Sequence, residues 1–292
     1  MNFALYSKTL NPENESIFKL LINKIKASGS GLSVWSEALQ SLSTGDTDLT
    51  GISSFSDFSS LSNTTDLVLS IGGDGTLLST VQLVRNSGIP VLGINTGRMG
   101  FLSAISKSEI NEAIDNVLAR KYTLSKRTLI QLAEPKSIFG DINYALNEFS
   151  INKTETASML VVHVWIDGEL LQSFWADGLI ISTPTGSTAY SLSCGGPIIA
   201  PSSEAFVITP IAPHNLTARP VVIPDKSVIK LKFESRLEQA LICLDSSTAT
   251  ITDETELTIS KADFYFNLMQ IDGDNFFTNI RTKLNWGLDI RN

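Results

Sequence analysis

The chain is poor in the residues that bind metals and form cross-links. Its 292 residues include two cysteines, Cys194 and Cys243, and two histidines, His163 and His214. Two cysteines are too few for a disulfide framework or a thiolate metal site. Two histidines without clustered cysteines do not favour a dedicated zinc site either. We therefore expect no protein-ligated metal, and so little cysteine is typical of a reducing compartment.

Long apolar runs and an excess of positive charge are also missing. No run approaches the roughly 18 apolar residues of a membrane span, and residues 1–6 lack the basic and apolar regions of a secretory signal. The formal net charge is −8, whereas general nucleic-acid binding requires a basic face. We expect a cytoplasmic protein that binds neither nucleic acid nor membrane. A nucleotide ligand is not excluded, because a few N–H groups and one arginine can hold a phosphate.

Strands and helices alternate in the first 122 residues. Short apolar runs predict strands, and apolar residues at helical spacing predict helices. The strands are expected at 3–6, 32–35, 67–71 and 89–94, and the helices at 12–27, 77–84 and 110–118. Segment 45–65 is rich in Ser, Thr, Asp and Gly and predicts a loop. This alternation predicts a doubly wound parallel α/β domain.

After residue 122, short β-branched runs separated by turns predict an all-β domain resembling a β-sandwich. The dipeptide Asp167-Gly168 predicts a tight hairpin. Near the end of the chain, Phe277, Ile280 and Leu284 would share one face of a helix. The strands are expected at 128–132, 144–151, 160–166, 170–174, 206–211, 221–223, 228–233, 240–244, 256–260 and 264–268.

The most informative motif is Gly72-Gly73-Asp74-Gly75-Thr76, directly after the strand predicted at 67–71. Ligands of open α/β sheets bind at the carboxyl ends of strands, and a helix start offers N–H groups to an anion. Asp74 would then lie beside a phosphate site, where it can orient a hydroxyl or accept its proton. A plain strand-to-helix turn capped by Asp74 fits the same residues, because the motif lacks the endings of better-known phosphate loops.

A second glycine loop, Asn95-Thr96-Gly97-Arg98-Met99-Gly100-Phe101, follows the strand predicted at 89–94. The two loops end strands of one sheet, so they could face each other across a crevice. Arg98 suits phosphate oxygens. A surface turn with a solvated Arg98 is equally compatible with the sequence.

The dipeptide Asn147-Glu148 lies within the strand predicted at 144–151. Adjacent strand residues point to opposite faces, so one of these polar side chains is expected to be buried and to need partners. An amide and a carboxylate suit a ribose and a base edge. Taken alone, a solvated pair on an edge strand is the simpler interpretation.

Residues 176–193, followed by Gly195-Gly196-Pro197, form the longest constrained stretch. An acidic turn at Asp177 leads into a strand, and the strand leads into a loop of small and hydroxyl residues before a short helix. Tyr190 offers a flat face to an aromatic ring. Gly186-Ser187-Thr188 does not continue as the Gly-x-Ser-x-Gly of a serine hydrolase, so no serine nucleophile is predicted.

The two histidines have different surroundings in the sequence. His214 lies in the loop Ala212-Pro213-His214-Asn215, where it could approach a ligand or be solvated. His163 lies in the apolar strand predicted at 160–166, and we expect it to pack there.

Together and in this order, these motifs resemble those of the NAD kinases. The resemblance covers Gly72–Thr76, residues 95–102, Asn147-Glu148, the stretch 177–197 and the closing segment 276–287. It implies an α/β domain (1–122), an all-β NAD-binding domain (123–270), and a C-terminal helix that returns to the first domain (271–292).

The resemblance also implies a reaction. The terminal phosphoryl group of ATP, or of another donor such as polyphosphate, would pass to the 2′-hydroxyl of the adenosine ribose of NAD, giving NADP. A divalent cation such as Mg²⁺ would accompany the donor. Members of the family are commonly homodimers or homotetramers.

Residue roles follow from the same resemblance. Asp74 matches the catalytic aspartate, and Asn147 and Glu148 match the NAD-contacting pair. The other nucleotide-binding positions expected are Gly72, Gly73, Gly75, Thr76, Asn95, Arg98, Phe101, Asp177, Thr185, Thr188, Ala189, Tyr190, Ser191, Leu192, Ser193 and Ala212.

One departure and two alternatives stay open. Asp245-Ser246-Ser247 stands where the family often has Asp-Gly-Gln, which leaves the role of that turn uncertain. A lipid or sugar kinase could share the Gly-Gly-Asp-Gly loop, although no basic or apolar membrane-facing run is present. A non-catalytic dinucleotide sensor is the other alternative, and the intact Asp74 disfavours it.

Overall fold

The computed structural model describes residues 1–42, 47–61, 63–97, 100–102, 105–155, 159–271 and 276–285. The chain divides into two compact units. Unit 1 comprises Met1–Lys126 and Phe266–Asn292, and unit 2 comprises Arg127–Tyr265.

The first part of unit 1 alternates strands and helices as predicted. Its elements are β1 (Asn2–Tyr6), α1 (Pro12–Ala27), β2 (Gly31–Trp35), α2 (Ser36–Ser41), β3 (Ser53–Phe55), β4 (Leu67–Ile71), α3 (Asp74–Val84), β5 (Val91–Ile94) and α4 (Ile110–Leu118). Helix α1 shows how neighbouring residues determine where a helix begins. Asn11 caps it by accepting the Asn14 N–H at 2.8 Å, and Pro12 occupies the first turn, where no N–H is needed.

The rest of the chain is mainly β-structure and ends in a helix. The elements are β6 (Tyr122–Glu134), β7 (Tyr144–Ala145), β8 (Glu148–Lys153), β9 (Leu160–Ile166), β10 (Glu169–Ala176), β11 (Gly178–Ser182), α5 (Tyr190–Ser193), β12 (Ala205–Ile211), β13 (Val221–Pro224), β14 (Ile229–Ser235), β15 (Gln239–Leu244), β16 (Ser247–Thr252), β17 (Leu257–Ile271) and α6 (Phe276–Lys283).

The sheet of unit 1 is parallel, with strand order β3-β2-β1-β4-β5. The last part of β17 adds a parallel strand beside β5, with Leu268 opposite Val91. This is the order of a doubly wound fold, because successive strands are added on opposite sides of β1, and ligands bind such sheets where the order reverses. The carboxyl end of β4 lies at that reversal. The predicted parallel α/β domain is confirmed.

The core of unit 1 joins this sheet to its helices. Leu5, Leu69 and Ile94 from the strands pack in one buried cluster with Phe18 of α1 and Ile114 of α4. In the closing helix α6, which belongs to unit 1, Ile280 is buried but Phe277 is exposed. The predicted return of the C-terminal helix to the first domain is therefore confirmed, although Phe277 does not belong to the buried face.

Unit 2 contains two antiparallel sheets. One has the order β10-β9-β14-β17, with β6 beside β17 and β7 beside β6. The other has the order β13-β12-β11-β8-β15-β16. One buried cluster takes side chains from both, including Val162 and Leu231 from the first and Phe149, Ile181 and Ile242 from the second. The sandwich-like prediction is confirmed.

Several boundaries differ from the prediction. Segment 45–65 contains β3, which pairs in parallel with β2. This strand was not predicted because Phe55 is the one buried residue of β3 and the other two are exposed serines. Helix α2 and strand β16 were not predicted. The runs 256–260 and 264–268 are one strand, β17, because a half-exposed strand tolerates polar residues such as Lys261 between its apolar positions.

The prediction that His163 packs among apolar residues is wrong. In β9 the side chains of Leu160, Val162 and Val164 are buried, so His163 lies on the opposite face. Its ring nitrogens hydrogen-bond to Ser173 Oγ at 2.7 Å and Glu234 Oε1 at 3.1 Å.

Across the described residues, the structure has no helix that is both long enough and apolar enough to cross a membrane.

Candidate active site

The first glycine loop (Gly72–Thr76) connects the end of β4 to the start of α3. The Gly72 N–H donates to Ile94 O at 2.9 Å, which ties the loop to the end of β5. Gly73 caps α3, and its carbonyl accepts the N–H groups of Thr76 and Leu77 at 3.0 and 3.2 Å. Asp74, Gly75 and Thr76 form the first turn. A helix N-terminus therefore stands at the carboxyl edge of the sheet, where it can bind an anion.

The second glycine loop (residues 95–101) reaches the carboxylate of Asp74. The Phe101 N–H donates to Asp74 Oδ2 at 2.7 Å, and the Leu102 N–H donates to Oδ1 at 3.1 Å. A Cβ on Gly100 would overlap the carboxylate of Asp74. The two glycine loops therefore meet, as the sequence predicts, and their contact fixes the direction of the Asp74 side chain.

Other residues of the second glycine loop are held within unit 1. Asn95 is buried; its Oδ1 accepts the Gly97 N–H at 2.7 Å, and its own N–H donates to Ile105 O at 2.8 Å. The Lys283 Nζ of α6 lies 5.2 Å from the centroid of the Phe101 ring. The predicted ligand Arg98 lies outside the described residues.

Asn147 and Glu148 do not lie inside one strand as predicted. Strand β7 ends at Ala145 and β8 begins at Glu148, so Leu146 and Asn147 form a break. The break lies where the chain passes from the sheet that contains β7 to the sheet that contains β8. Asp245 binds the amides there: its Oδ2 accepts the Leu146 N–H at 2.8 Å, and its Oδ1 accepts the N–H groups of Asn147 and Glu148 at 2.9 and 3.1 Å. A carboxylate replaces the neighbouring strand as the partner of these amides.

The Glu148 carboxyl group has a buried oxygen with an open hydrogen-bonding position. Among the residues that the structure describes, no donor reaches its Oε2 atom. Burial raises the pKa of Glu148 to about 8, and the negative charge of Asp245 adds to the effect. Burial also raises the pKa of Asp245. An unpartnered buried acceptor costs free energy, and a bound ligand with hydroxyl groups would satisfy it.

Asp177 precedes β11 and forms an ion pair with Lys153, with Oδ1 and Nζ 2.6 Å apart. The backbone of Asp177 joins two strands, since its N–H donates to Ile211 O at 2.9 Å and its carbonyl accepts the Lys153 N–H at 3.0 Å. Ala212 follows directly after Ile211 with a φ of 45°. Asp177 and Ala212 therefore lie at neighbouring strand ends.

The loop after β11 packs against the break at Asn147. Thr183 donates its hydroxyl to Leu146 O at 2.6 Å and its N–H to Asn147 O at 2.9 Å. Gly186 leaves no room for a side chain, because a Cβ there would overlap the backbone of Asn147. Thr185 is buried beside these residues in the chain. The structure thus brings the loop and the dipeptide together.

The short helix α5 contains predicted positions with different surroundings. The Thr188 hydroxyl donates to Thr185 O at 3.2 Å, and Ala189 leads into α5. Ser191 is fully buried, and its hydroxyl hydrogen-bonds to Thr209 Oγ1 at 2.9 Å. Tyr190 is 45% exposed. Leu192 is partly buried and Ser193 is exposed. Tyr190 is therefore the large side chain of α5 that is open to a ligand.

Three contributors were not predicted: Lys153, Thr183 and Asp245. Lys153 carries no motif of its own, and Thr183 lies within the stretch 176–193 but was given no role there. The partners of both are visible only in the fold. Asp245 was singled out as part of a divergent turn, but without a role. The other loop histidine, His214, is exposed, and its N–H donates to Trp175 O at 2.8 Å.

Two sequence profiles match the chain. The ATP-NAD kinase N-terminal domain matches residues 54–122, and the ATP-NAD kinase C-terminal domain matches residues 146–271. The chain belongs to the NAD kinase family. It is 49% identical over 227 residues to the NAD kinase of Cytophaga hutchinsonii, covering 78% of each chain. It is 50% identical over 240 residues to the NAD kinase of Flavobacterium psychrophilum, covering 82% of each.

Solved NAD kinase structures have the same fold. Yeast NADH kinase in complex with NADH superposes with a TM-score of 0.88 at 25% identity, covering 99% of this chain and 89% of that one. The NAD kinase of Archaeoglobus fulgidus in complex with ATP gives a TM-score of 0.74 at 25% identity, covering 98% and 99%. As a member of the NAD kinase family, the chain is a phosphotransferase that converts NAD to NADP.

Proposed function

We propose that the chain phosphorylates the 2′-hydroxyl of the adenosine ribose of NAD with Asp74 as its catalytic residue and with Asn147 and Glu148 as NAD ligands. The observation that supports the NAD ligands best is the buried Oε2 atom of Glu148, which no donor among the described residues reaches. Ribose hydroxyls are donors of the kind that this oxygen needs.

Asp74 accepts the proton of the attacking hydroxyl. A ribose hydroxyl is a poor nucleophile, and a carboxylate within hydrogen-bond reach increases its reactivity. The N–H groups of Phe101 and Leu102 each occupy one position on the Asp74 carboxylate. These two amides therefore orient the Asp74 carboxylate.

The donor phosphates bind at the first glycine loop. Gly72, Gly73, Gly75 and Thr76 surround the N-terminus of α3, where backbone N–H groups and the helix dipole favour phosphate. Asn95, Arg98 and Phe101 of the second glycine loop belong to the same binding region.

The divalent cation arrives as part of the donor complex. Within the described ranges, no three His, Cys, Asp or Glu side chains are grouped so that they could hold a metal. Magnesium bound to the oxygens of ATP needs no such group, because Mg²⁺ keeps phosphate and water ligands. Bound to the donor phosphates, such an ion would supply positive charge that neutralises the charge developing on the transferring phosphoryl group.

The rest of the dinucleotide is bound by residues of unit 2. Asp177 accepts from an amide N–H₂, and Tyr190 covers a ring with its exposed face. Thr185, Thr188, Ala189, Ser191, Leu192, Ser193 and Ala212 complete the set. Binding by several such groups gives specificity, because each buried polar group needs its partner.

Three further assignments belong to the same proposal. Residues 1–122 and 271–292 form the domain that holds the donor, and residues 123–270 form the domain that holds NAD. The protein acts in the cytoplasm as a homodimer or homotetramer. Light scattering on the purified protein would measure the assembly directly.

The reaction is tested by incubating purified protein with NAD, ATP and MgCl₂ and measuring NADP with an NADP-specific dehydrogenase. We expect NADP to accumulate in proportion to enzyme. NADH and polyphosphate are offered in parallel as alternative acceptor and donor. Folded protein that forms no phosphorylated dinucleotide with any of these pairs would contradict the proposal.

A further inference from the structure

Asp245 makes hydrogen bonds to three consecutive residues, Leu146, Asn147 and Glu148, at the start of β8 and the break before it. It lies in the two-residue turn between β15 and β16 with a φ of 48°. Its carboxylate accepts the N–H groups of Leu146, Asn147 and Glu148, and its own N–H donates to Glu148 O at 3.1 Å. A carboxylate that accepts several N–H groups is held in one position.

The segment it binds has no continuous strand structure of its own. Leu146 and Asn147 form the break between β7 and β8, and both are buried. Thr183 holds the carbonyl groups of this segment from one side, and Asp245 holds its N–H groups from the other. The backbone that presents Asn147 and Glu148 is thus fixed through both kinds of polar group.

We propose that Asp245 is a positioning residue for NAD binding, which places Asn147 and Glu148 through their backbone amides without itself contacting the dinucleotide. The proposal rests on the assignment of Asn147 and Glu148 as NAD ligands. It gives a role to the turn Asp245-Ser246-Ser247, whose sequence differs from the Asp-Gly-Gln that is common in the family.

Asp245 also acts on Glu148 through its charge. Burial is the larger cause of the raised pKa of Glu148, and the negative charge of Asp245 is the second. Cys194 also interacts electrostatically with Glu148, and Tyr190 forms a hydrogen bond with Cys194. Burial raises the pKa of Cys194 and that of Tyr190. Asp177 interacts electrostatically with Tyr190, and its own charge is paired with that of Lys153. Removing the charge of Asp245 therefore lowers the pKa of Glu148.

The influence of the Asp245 charge on the pKa of Glu148 separates a positioning role from a merely structural one. An ionised Glu148 accepts stronger hydrogen bonds from ribose hydroxyls than a neutral one, so NAD affinity should rise as the pH increases through about 8. Asp245→Asn should move the midpoint of this rise to lower pH. Glu148→Gln should abolish the rise.

The chain offers a matched control at Asp167. This residue also has a positive φ, 51°, in a two-residue turn. Its Oδ1 accepts the Val228 N–H at 2.8 Å, and its N–H donates to Val228 O at 2.9 Å. Asp167→Asn therefore removes the same charge from an aspartate with a similar backbone conformation, in a turn that holds no proposed NAD ligand.

The experiment is a calorimetric titration of NAD into wild type, Asp245→Asn, Asp167→Asn, Glu148→Gln and Asn147→Ala at pH values from about 6 to 9. We expect Asp245→Asn to raise the Kd about 10- to 150-fold, as for lost hydrogen bonds to a charged group, and to lower the pH midpoint. Asp167→Asn should bind as wild type does. Wild-type affinity and midpoint in Asp245→Asn, or equal changes in Asp167→Asn, would overturn the proposal.

Two further measurements keep the outcomes distinct. If Glu148→Gln and Asn147→Ala bind NAD as wild type does, the assignment of the NAD ligands fails. If they weaken binding but Asp245→Asn does not, only the positioning role fails.

Asp245→Glu, which keeps the charge and displaces the carboxylate, should weaken NAD binding and leave the pH midpoint unchanged. Should these variants not fold, hydrogen exchange of wild type decides: amides 146–148 that exchange as fast as exposed loop amides contradict the role.

Discussion

The carboxylate of Asp74 fills the space that a side chain on Gly100 would need. The two residues belong to different loops of unit 1, and the N–H groups of Phe101 and Leu102 hold the carboxylate in that space. The orientation of the proposed catalytic group therefore depends on a residue without a side chain.

Gly100→Ala should push the Asp74 carboxylate out of its position. We expect kcat to fall about 10²-fold, the loss typical of a reactive group misplaced by about 1 Å, with little change in the Kd for NAD. Gly97→Ala is the matched control, since a Cβ at Gly97 meets no atom within 4 Å. Steady-state kinetics beside calorimetry would test this. Equal kcat values in the two variants would show that Gly100 does not set the position of Asp74.

Asp74→Asn keeps the shape of the side chain and removes the base. We expect kcat to fall about 10²–10⁴-fold, the range for loss of a general base, while NAD binding stays near that of wild type. The measurement is the coupled NADP assay with saturating NAD and Mg-ATP. Turnover close to that of wild type would exclude Asp74 as the catalytic base.

Gly75→Ala should separate donor binding from stability. A Cβ at Gly75 meets no atom within 4 Å, and alanine is favoured over glycine in a helix by about 1 kcal/mol, so the variant should be at least as stable as wild type. We expect lower turnover and a higher KM for ATP, because the added methyl group crowds the approach of the phosphates. Thermal unfolding and kinetics with varied ATP would decide. An unchanged KM for ATP would place the donor phosphates elsewhere.

Asp177→Ala and Tyr190→Ala should each weaken NAD binding. An unmatched polar group costs about 1–3 kcal/mol, which corresponds to a Kd increase of about 5- to 150-fold. Ser203→Ala, in a turn outside the proposed set, serves as a control. Calorimetric titration of NAD gives the values. Normal binding by both variants would limit the NAD site to other residues.

The raised pKa of Glu148 predicts a pH-dependent stability. The folded protein keeps this proton up to about pH 8, whereas the unfolded chain loses it near its ordinary pKa of 4.5. The free energy of unfolding should therefore fall as the pH rises through this interval. We expect Glu148→Gln to raise Tm at the upper end by at least about 3 °C and to change it little at the lower end.

Thermal scans at several pH values measure this effect. Glu169→Gln, at an exposed position at the start of β10, is the control and should follow wild type throughout. A Glu148→Gln protein whose Tm varies with pH as steeply as that of wild type would show that Glu148 does not carry the buried proton.

The sequence predicted those parts of the site that are local in the chain. The first glycine loop could be placed because its motif directly follows the buried strand β4 and precedes an apolar helix. The two-domain organisation followed from the change from alternating helices and strands to short β-branched runs. Such patterns report on neighbours along the chain, so they need no knowledge of tertiary contacts.

The rest depended on contacts between distant residues. Asp245 and Glu148 are 97 positions apart, and no local pattern shows that one carboxylate binds three amides there. The predicted strand at 144–151 is broken because the chain passes there from one sheet of unit 2 to the other. The partnership of Lys153 with Asp177 and the exposed face of His163 likewise follow from strand pairing and register.

Strand β17 sets the order in which the protein can be completed during synthesis. Residues 127–265 form unit 2 without interruption, so the whole of this unit can leave the ribosome before the last part of unit 1 has been made. Unit 1 needs Phe266–Ile271 to pair with β5. Until that segment has been made, the backbone N–H and C=O groups of β5 on this side are an open sheet edge, which favours aggregation. Unit 1 is therefore completed after unit 2, although most of its residues precede unit 2 in the chain, and a fragment that stops before residue 266 lacks the strand that covers this edge.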